Sequence, residues 1–321
     1  PRLGLINVML SMGVINLLAG GLFILIGWRG QRVVSLEPEQ ASSEPRRGES
    51  FFIYSLVALL TGFALMSVQT TVIRLAGLSF GSSQFTFSMV VAVFVLCIAL
   101  GSFVVSALTQ IPRVLIVLNQ WALAISFLGL YWVLEDSPYW VHYLRALFRD
   151  ESAAFGFFYL LGFLMVLAVI GLPVILSGAS LPLLFHQMRR EVGHLGDVAG
   201  SLYSWNTVGS LFGALLGGYV LLFWLDLHQV YNVAVGSLLL AAVLLTVRIY
   251  RWKMVIALVA LPLLGALFLL PAWEPAKLQV GLFRTRDPLP GTFSGPASFQ
   301  KRHAPLFERK ILFATDDPIA S

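Results

Sequence analysis

The chain has 321 residues, of which 58% are hydrophobic and 12% are charged, and its mean hydropathy is +0.85. A water-soluble protein keeps about a quarter of its residues charged, so these values exclude a soluble enzyme fold for most of the chain. The net charge of +5 comes from basic residues dispersed among short loops, which does not indicate a nucleic-acid partner. The composition predicts an integral membrane protein in contact with membrane lipids.

A helix needs about 20 mostly apolar residues to cross a bilayer. We therefore predict an all-α integral membrane protein, a polytopic bundle of about eight transmembrane helices. The predicted spans lie near residues 3–28, 51–73, 84–108, 114–134, 154–187, 199–224, 229–247 and 254–271. The fifth span is longer than a bilayer requires and contains Pro173 and Pro182, so we expect a kinked or broken helix there.

The polar segments between the spans predict five regions. Their order is a transmembrane helix, a polar linker, a membrane region with six predicted spans, an additional transmembrane helix and an aqueous tail. Their bounds are 1–28, 29–50, 51–250, 251–271 and 272–321. The chain begins without a methionine, and we expect it to be part of a longer polypeptide.

The distribution of Lys and Arg predicts the orientation. We call the side on which the second span begins side B, and the side on which it ends side A. Side B carries Arg29, Arg32, Arg46, Arg47, Arg113, Arg189, Arg190, Arg248, Arg251 and Lys253, whereas side A carries Arg2, Arg74, Arg145 and Arg149. Side B is therefore predicted to be cytoplasmic, and the C-terminal tail is predicted to lie outside the cytoplasm.

The sixth span contains three glycines at intervals of four residues, Gly209, Gly213 and Gly217, which share one helix face. Small residues at this spacing let two helix backbones approach closely in lipid. We interpret them as a helix-packing face within the bundle, with a dimer face or a sliding contact in a transporter as alternatives. Asn206 precedes the stripe, and its amide is expected to find a partner on a neighbouring helix.

Catalytic, cofactor and metal motifs are missing from the sequence. We find no phosphate-binding loop, no HExxH and no nucleophile elbow. Ionisable residues fall at predicted span ends, which argues against a proton pump. Gln69 and Arg74 lie within about one turn of each other, so they are candidates for a cavity or an interface on side A. Tryptophans near span ends, such as Trp121 and Trp273, are typical of an interfacial belt.

The chain resembles membrane proteins in which a major-facilitator-like helical region is fused to a spermidine-synthase-like domain. The resemblance covers nearly the whole chain and begins with a Gly, Gln, Arg and Phe-Gly-x-Ser series, in which Val72 stands where Trp is usual. It continues with a Gly-Ser step, a Gly-Ala-x-Leu-Pro step and a Gly-x-Leu-Tyr-x-x-Asn-Thr-x-Gly-x-x-x-Gly helix. The residues are Gly62, Gln69, Arg74, Phe80, Gly81, Ser83, Gly101, Ser102, Gly178, Ala179, Leu181, Pro182, Gly200, Leu202, Tyr203, Asn206, Thr207, Gly209 and Gly213.

The resemblance implies that residues 51–250 form the second six-helix unit and that residues 1–28 are the last helix of a preceding unit. The tail resembles the connection into the synthase domain and would be the start of that domain. Its matching residues are Trp273, Pro275, Gly281, Phe283, Arg284, Asp317, Pro318 and Ala320. The resemblance implies a bacterial cytoplasmic (inner) membrane protein that is aminopropyltransferase-like, with decarboxylated S-adenosylmethionine used by a domain absent from this chain. The residues that would orient this donor and deprotonate the amine are not in the sequence, so we expect the chain alone to be inactive.

Three functions remain open from the sequence. The first is the membrane module of a spermidine-synthase-like protein. The second is a transporter of polyamines or other small molecules. The third is a non-catalytic subunit that packs against other membrane subunits, or against a second copy of itself, through the face of Gly209, Gly213 and Gly217.

Overall fold

A computed structural model describes residues 4–30, 45–108, 110–148, 154–192, 195–250, 253–285 and 287–307. Every regular element in these ranges is helical. The chain divides into two compact units, Pro1–Glu44 and Pro45–Ser321. The strand predicted at 311–314 and the turn at Asp316 and Asp317 lie outside the described residues.

The first unit contains one helix, α1. The second unit contains the other helices, and the long ones are joined by short loops. The helices are α1 (Gly4–Gly30), α2 (Pro45–Phe80), α3 (Gln84–Ser106), α4 (Arg113–Glu135), α5 (Ser137–Ala146), α6 (Phe155–Val192), α7 (Leu195–Phe212), α8 (Leu227–Tyr250), α9 (Lys253–Leu269), α10 (Pro275–Leu278), α11 (Pro296–Arg302) and α12 (Ala304–Phe307). A π-helical turn, Gly213–Gly217, and a 3₁₀ turn, Val220–Phe223, follow α7 directly.

Within the described part of the second unit, six helices are long and apolar enough to cross a membrane. They correspond to the six spans predicted within residues 51–250, so the prediction of a helical membrane bundle is confirmed in this general form. The other two predicted spans coincide with shorter apolar stretches, Leu10–Leu22 in α1 and Val259–Leu269 in α9. The total of eight spans stays a prediction.

Helix α6 corresponds to the overlong fifth span, and it is continuous over 38 residues. Pro173 and Pro182 lie inside it without ending it. The prediction of a broken helix at either proline is therefore wrong. Proline is tolerated inside a membrane helix when neighbouring helices and side-chain hydroxyls satisfy the freed backbone groups.

The outer surface of the six-helix bundle is apolar. Phe103 on α3 is 72% exposed, Leu172 on α6 is 63% exposed and Leu211 on α7 is 64% exposed. In water, so many exposed large apolar side chains would promote association. This surface is suited to the hydrocarbon of a bilayer.

Helix α2 is central, and α7 lies parallel to it. Ser55 and Ser201 approach within 3.4 Å near side B, and the Ser67 hydroxyl donates to the Gly213 carbonyl at 3.2 Å further along. Arg74 of α2 contacts the residue after the π-helical turn near side A. Both helices therefore run from side B to side A.

Helices α3 and α6 form a second parallel pair, which runs from side A to side B. A Cβ built on Gly101 would overlap the Ile175 carbonyl, and one built on Gly178 would overlap the backbone of Ile98. The Ser102 hydroxyl donates to the Gly178 carbonyl at 2.9 Å. Small residues thus bring these two backbones into direct contact.

Helix α4 joins three other helices through consecutive polar side chains. Asn119 Nδ2 donates to the Leu176 carbonyl and to Ser180 Oγ of α6, both at 3.0 Å. Gln120 Nε2 lies 3.4 Å from the Thr61 hydroxyl of α2, and Trp121 Nε1 donates to the Thr246 hydroxyl of α8 at 3.0 Å. Two buried amides and one half-buried indole thereby fix the register of α4.

Helix α9 returns along α8 toward side A. Leu267 near its end lies against Gly236, where a Cβ would be 3.5 Å from Leu267 Cδ2. The chain then passes Tyr131 at the side A end of α4, whose hydroxyl donates to the Pro271 carbonyl at 2.6 Å. The segment after α9 consequently lies on side A of the bundle.

Candidate functional site

Helix α5 and the segment after α9 pack against each other on side A. We call this assembly the side A cap, and it comprises residues 137–146 and the described residues of 271–303. Its apolar centre contains Tyr139, Leu282 and Phe299, which are 3%, 3% and 0% exposed. A polar tail this short cannot bury a core alone. The bundle and α5 supply the missing part.

Arg145 of α5 lies at the junction of the cap and the bundle. Its Nη1 donates to the Phe283 carbonyl at 2.6 Å, and its Nη2 lies 3.4 Å from the Phe80 carbonyl. The guanidinium also lies 5.0 Å from the centroid of the Phe158 ring, within the range of a cation–π interaction. One side chain therefore links the end of α2, the start of α6 and the tail.

Gly81 lies at the same junction, in the turn between α2 and α3. Its φ of 96° is in the left-handed region that favours glycine. A Cβ at this position would be 3.3 Å from the ring of Phe283. Ser83 then caps α3, because its Oγ accepts a hydrogen bond from the Thr86 backbone N–H at 3.1 Å.

Thr292 is the second contact point of the cap. Its carbonyl accepts a hydrogen bond from the Tyr139 hydroxyl at 2.8 Å, and its Oγ1 lies 3.2 Å from His142 Nε2. Burial lowers the pKa of His142, and the positive charge of Arg145 acts in the same direction. Burial raises the pKa of Tyr139. Both side chains are therefore neutral at pH 7.

The segment that enters the cap is held by aromatic and ionic contacts. Trp273 is 4% exposed, its Nε1 donates to the Tyr131 carbonyl at 3.2 Å, and the two ring centroids are 5.0 Å apart. Lys277 Nζ lies 3.4 Å from both Glu135 and Glu274. Burial alone would lower the pKa of Lys277, but the two carboxylates raise it overall. The ammonium group is charged across the physiological range.

The predicted glycine stripe of α7 and its π-helical turn lies against α2 of the same chain. Added Cβ atoms at Gly209 and Gly213 would overlap the carbonyl oxygens of Leu59 and Phe63. At Gly217 an added Cβ would overlap the Ser67 hydroxyl. A partner chain at this face would have to displace α2, and the hypothesis of such a partner stays a prediction.

Asn206 lies across the same helix pair. A Cβ at Gly62 would overlap the Asn206 carbonyl and lie 2.9 Å from its side-chain Oδ1. The asparagine therefore covers the glycine of the neighbouring helix.

Arg74 and Gln69 are both half-buried on α2. Arg74 Nη2 donates to the Gly218 carbonyl at 3.2 Å, one residue after the π-helical turn. Carbonyls at the end of a helix lack partners within the helix, and this guanidinium satisfies one of them. Neither side chain lines the cavity described next.

An apolar cavity of about 530 Å³ opens on the side A half of the bundle. It lies between α2, α4, α5 and α6, and its lining is aliphatic and aromatic except for three polar residues, Ser79, Asp136 and Ser137. The Ser79 hydroxyl donates to the Leu75 carbonyl at 2.8 Å, and its Oγ lies 3.0 Å from Ser137 Oγ. The volume lies within the ~300–1,000 Å³ range of small-molecule sites.

On side B, the Glu191 carboxylate accepts hydrogen bonds from side chains of three helices. Its Oε1 accepts hydrogen bonds from the Tyr54 hydroxyl at 2.8 Å and from Gln187 Nε2 at 3.0 Å. Its Oε2 accepts from Arg248 Nη2 at 2.7 Å. The carboxylate thus ties α2, α6 and α8 together at the side opposite the cap.

Sequence reasoning missed α5, the cap and the Glu191 cluster. Helix α5 is short, and its apolar residues are too few for a membrane-span signal, although Pro138 in its first turn is a helix-start signal. Trp273, which the sequence placed in an interfacial belt, is buried in the cap. Among the described residues, no three His, Cys, Asp or Glu side chains group as metal ligands do. Comparison with protein-family models, with curated proteins and with solved structures finds no match to this chain.

Proposed function

We propose that this chain is the membrane module of a spermidine-synthase-like protein, and that it anchors and positions the polypeptide that leaves α9. The observation that carries this proposal is the contact of Arg145 with the Phe283 carbonyl at 2.6 Å. A flexible tether needs no such contact, since it is held by the chain alone. A segment docked by buried hydrogen bonds holds whatever follows it at a fixed place.

The positions that carry the family resemblance support the proposal, because they meet in space although they are far apart in sequence. Gly62 of the first motif lies against Asn206 of the last one. Gly101 lies against Ala179, and Gly81 lies against Phe283 of the tail motif. A pattern that specifies helix contacts would show such pairing.

The proposal places the aminopropyl transfer outside this chain. The donor is a sulfonium and the acceptor is a polycationic amine, so the reaction needs a base and carboxylates that can hold positive charge. On side A, Glu135 and Glu274 are engaged by Lys277, so these two carboxylates are not available to hold a polycationic acceptor. The residues present do not fit a site for this donor, and we derive no step through it.

The test uses the protein with its C-terminal continuation. We expect product from putrescine and decarboxylated S-adenosylmethionine, and calorimetric binding of the donor. Absence of both would reject the synthase part of the proposal. Hydrogen exchange of residues 279–285 and 287–303 tests anchoring separately, because slow exchange there indicates a docked segment whatever the activity.

A transporter is the second candidate, and the surface of α7 favours it. The span Val198–Phe223 is the least apolar and the least buried of the six. It exposes Ser204 and Thr207 among apolar neighbours. These hydroxyls lie on the face that also exposes Leu211, and such a mixed polar and apolar face is expected where a helix borders an aqueous path or a second helical unit.

Thiol accessibility tests the transporter. If a water-filled path runs along α7, a membrane-impermeant maleimide should label Thr207→Cys in membranes. The matched control is Val95→Cys on α3, an apolar position that is 61% exposed and should face lipid. Equal and negligible labelling of both variants would reject an aqueous path at α7.

A further inference from the structure

We propose that the apolar cavity on side A binds one chain of a membrane lipid whose headgroup carries an ammonium group, with Asp136 as the headgroup's partner. The cavity is open toward the outer surface of the bundle. Trp132 and Trp140, which line it, are 52% and 41% exposed. Tryptophan is enriched where hydrocarbon meets headgroups, so the opening lies at the depth at which a lipid presents both parts.

The lining defines the apolar part of the ligand. Val72, Leu75, Val166, Val169 and Ile170 form walls without charge. An apolar cavity of this kind offers too few partners to hold water and favours an apolar occupant. A hydrocarbon chain from the surrounding bilayer meets this requirement and is present at high concentration.

The polar edge defines the headgroup. Asp136 lines the cavity and is half-buried. Gln300 Nε2 donates to its Oδ1 at 3.0 Å, and a carboxylate has acceptor capacity for further donors. Among the described residues, the ion pairs are those of Arg248 with Glu191 and of Lys277 with Glu135 and Glu274, and Asp136 takes part in none of them. Charge complementarity therefore favours a headgroup that ends in an ammonium group over one whose only charge is that of the phosphate.

Retention of lipids in native mass spectrometry tests the proposal. The probes are phosphatidylethanolamine and phosphatidylglycerol with identical acyl chains, added in equal amounts to delipidated protein. We expect the wild type to retain phosphatidylethanolamine at least about fivefold better, which corresponds to about 1 kcal/mol. Equal retention would show that chains fill the cavity without headgroup selection, and this result would overturn the proposal.

Two variants separate the headgroup from the chain. Asp136→Asn keeps the oxygen that accepts from Gln300 but removes the charge, so it should abolish the preference and preserve the cap. Asp226→Asn is its control, because Asp226 is exposed on the same side and does not line the cavity. A preference that survives in Asp136→Asn, or is lost equally in Asp226→Asn, would overturn the assignment of Asp136.

Val166→Phe fills the cavity and should reduce retention of both lipids. Leu211→Phe adds similar bulk at an exposed position of α7 and should leave retention unchanged. Hydrogen exchange of the cap shows whether each variant is folded. Retention by Val166→Phe equal to that of the wild type, in a folded protein, would place the lipid elsewhere.

Discussion

Arg145 and Phe283 are 138 residues apart in the chain, yet the guanidinium of the first donates to the carbonyl of the second at 2.6 Å. The contact fixes the segment after α9 to a helix that lies between the third and fourth long helices of the bundle. It connects the membrane-embedded part of the protein to the part that leaves it.

Replacement of Arg145 by Ala should release the cap while leaving the bundle folded. A hydrogen bond from a charged donor contributes about 1.5–3 kcal/mol, and partial exposure lowers the effect toward the smaller value. We expect faster hydrogen exchange at residues 279–285 and 287–303. Lys301→Ala, an exposed position of α11, is the control. If exchange is equally slow in Arg145→Ala and the wild type, Arg145 does not hold the cap.

Replacement of Gly213 by Ala should destabilise the bundle by about 2 kcal/mol or more, because the added methyl group would overlap the Phe63 carbonyl, which cannot move without shifting α2. Gly200 on α7, the helix that precedes this turn, is the matched control. A Cβ there has no neighbour within 4 Å, so Gly200→Ala should be neutral or slightly stabilising. Thermal unfolding in detergent compares the two variants. Similar midpoints would contradict the close contact.

Acidification should loosen the cap through His142. The pKa of His142 is lowered in the docked state, so the released state binds a proton more readily. Docking is therefore fully stable above the ordinary histidine pKa of about 6.5 and loses stability as the pH falls below it. Hydrogen exchange of residues 287–303 between pH 8 and pH 5 measures this. His142→Gln should lack the dependence, and an unchanged dependence in that variant would assign the effect to another group.

Removal of the Glu191 carboxylate should separate the side B ends of three helices. Tyr54 is fully buried, and loss of its acceptor costs about 1–3 kcal/mol. The contact with Arg248 is partly exposed and adds less. A double-mutant cycle with Glu191→Ala and Tyr54→Phe, measured by thermal unfolding, should give a coupling near 1 kcal/mol. Additive effects would mean that the two side chains do not stabilise each other.

The long helices could be predicted from the sequence because hydrocarbon leaves the backbone no alternative to internal hydrogen bonds. The run of apolar residues at 84–106 is sufficient to locate α3. The glycines at 209, 213 and 217 likewise indicated a close helix contact, but their spacing could not identify the neighbour, since α2 begins more than 150 residues earlier.

The cap and the Glu191 cluster could not be predicted in the same way. Each depends on side chains brought together from distant segments, such as Tyr139 with Thr292 and Tyr54 with Glu191. The spacing of residues within one helix does not indicate which distant side chains will pair in this way. The apolar cavity has the same origin, because four helices that are separate in sequence form its walls.

Three consecutive side chains of α4 bond to helices that are synthesised at different times. They are Asn119, Gln120 and Trp121. As the ribosome delivers the polypeptide from its N-terminus, Gln120 arrives when Thr61 is already in place. The partner of Asn119 is Ser180 and the partner of Trp121 is Thr246, and both partners are synthesised after α4. An amide without a partner is costly in hydrocarbon, and α4 can complete these hydrogen bonds only after α6 and α8 have joined the bundle.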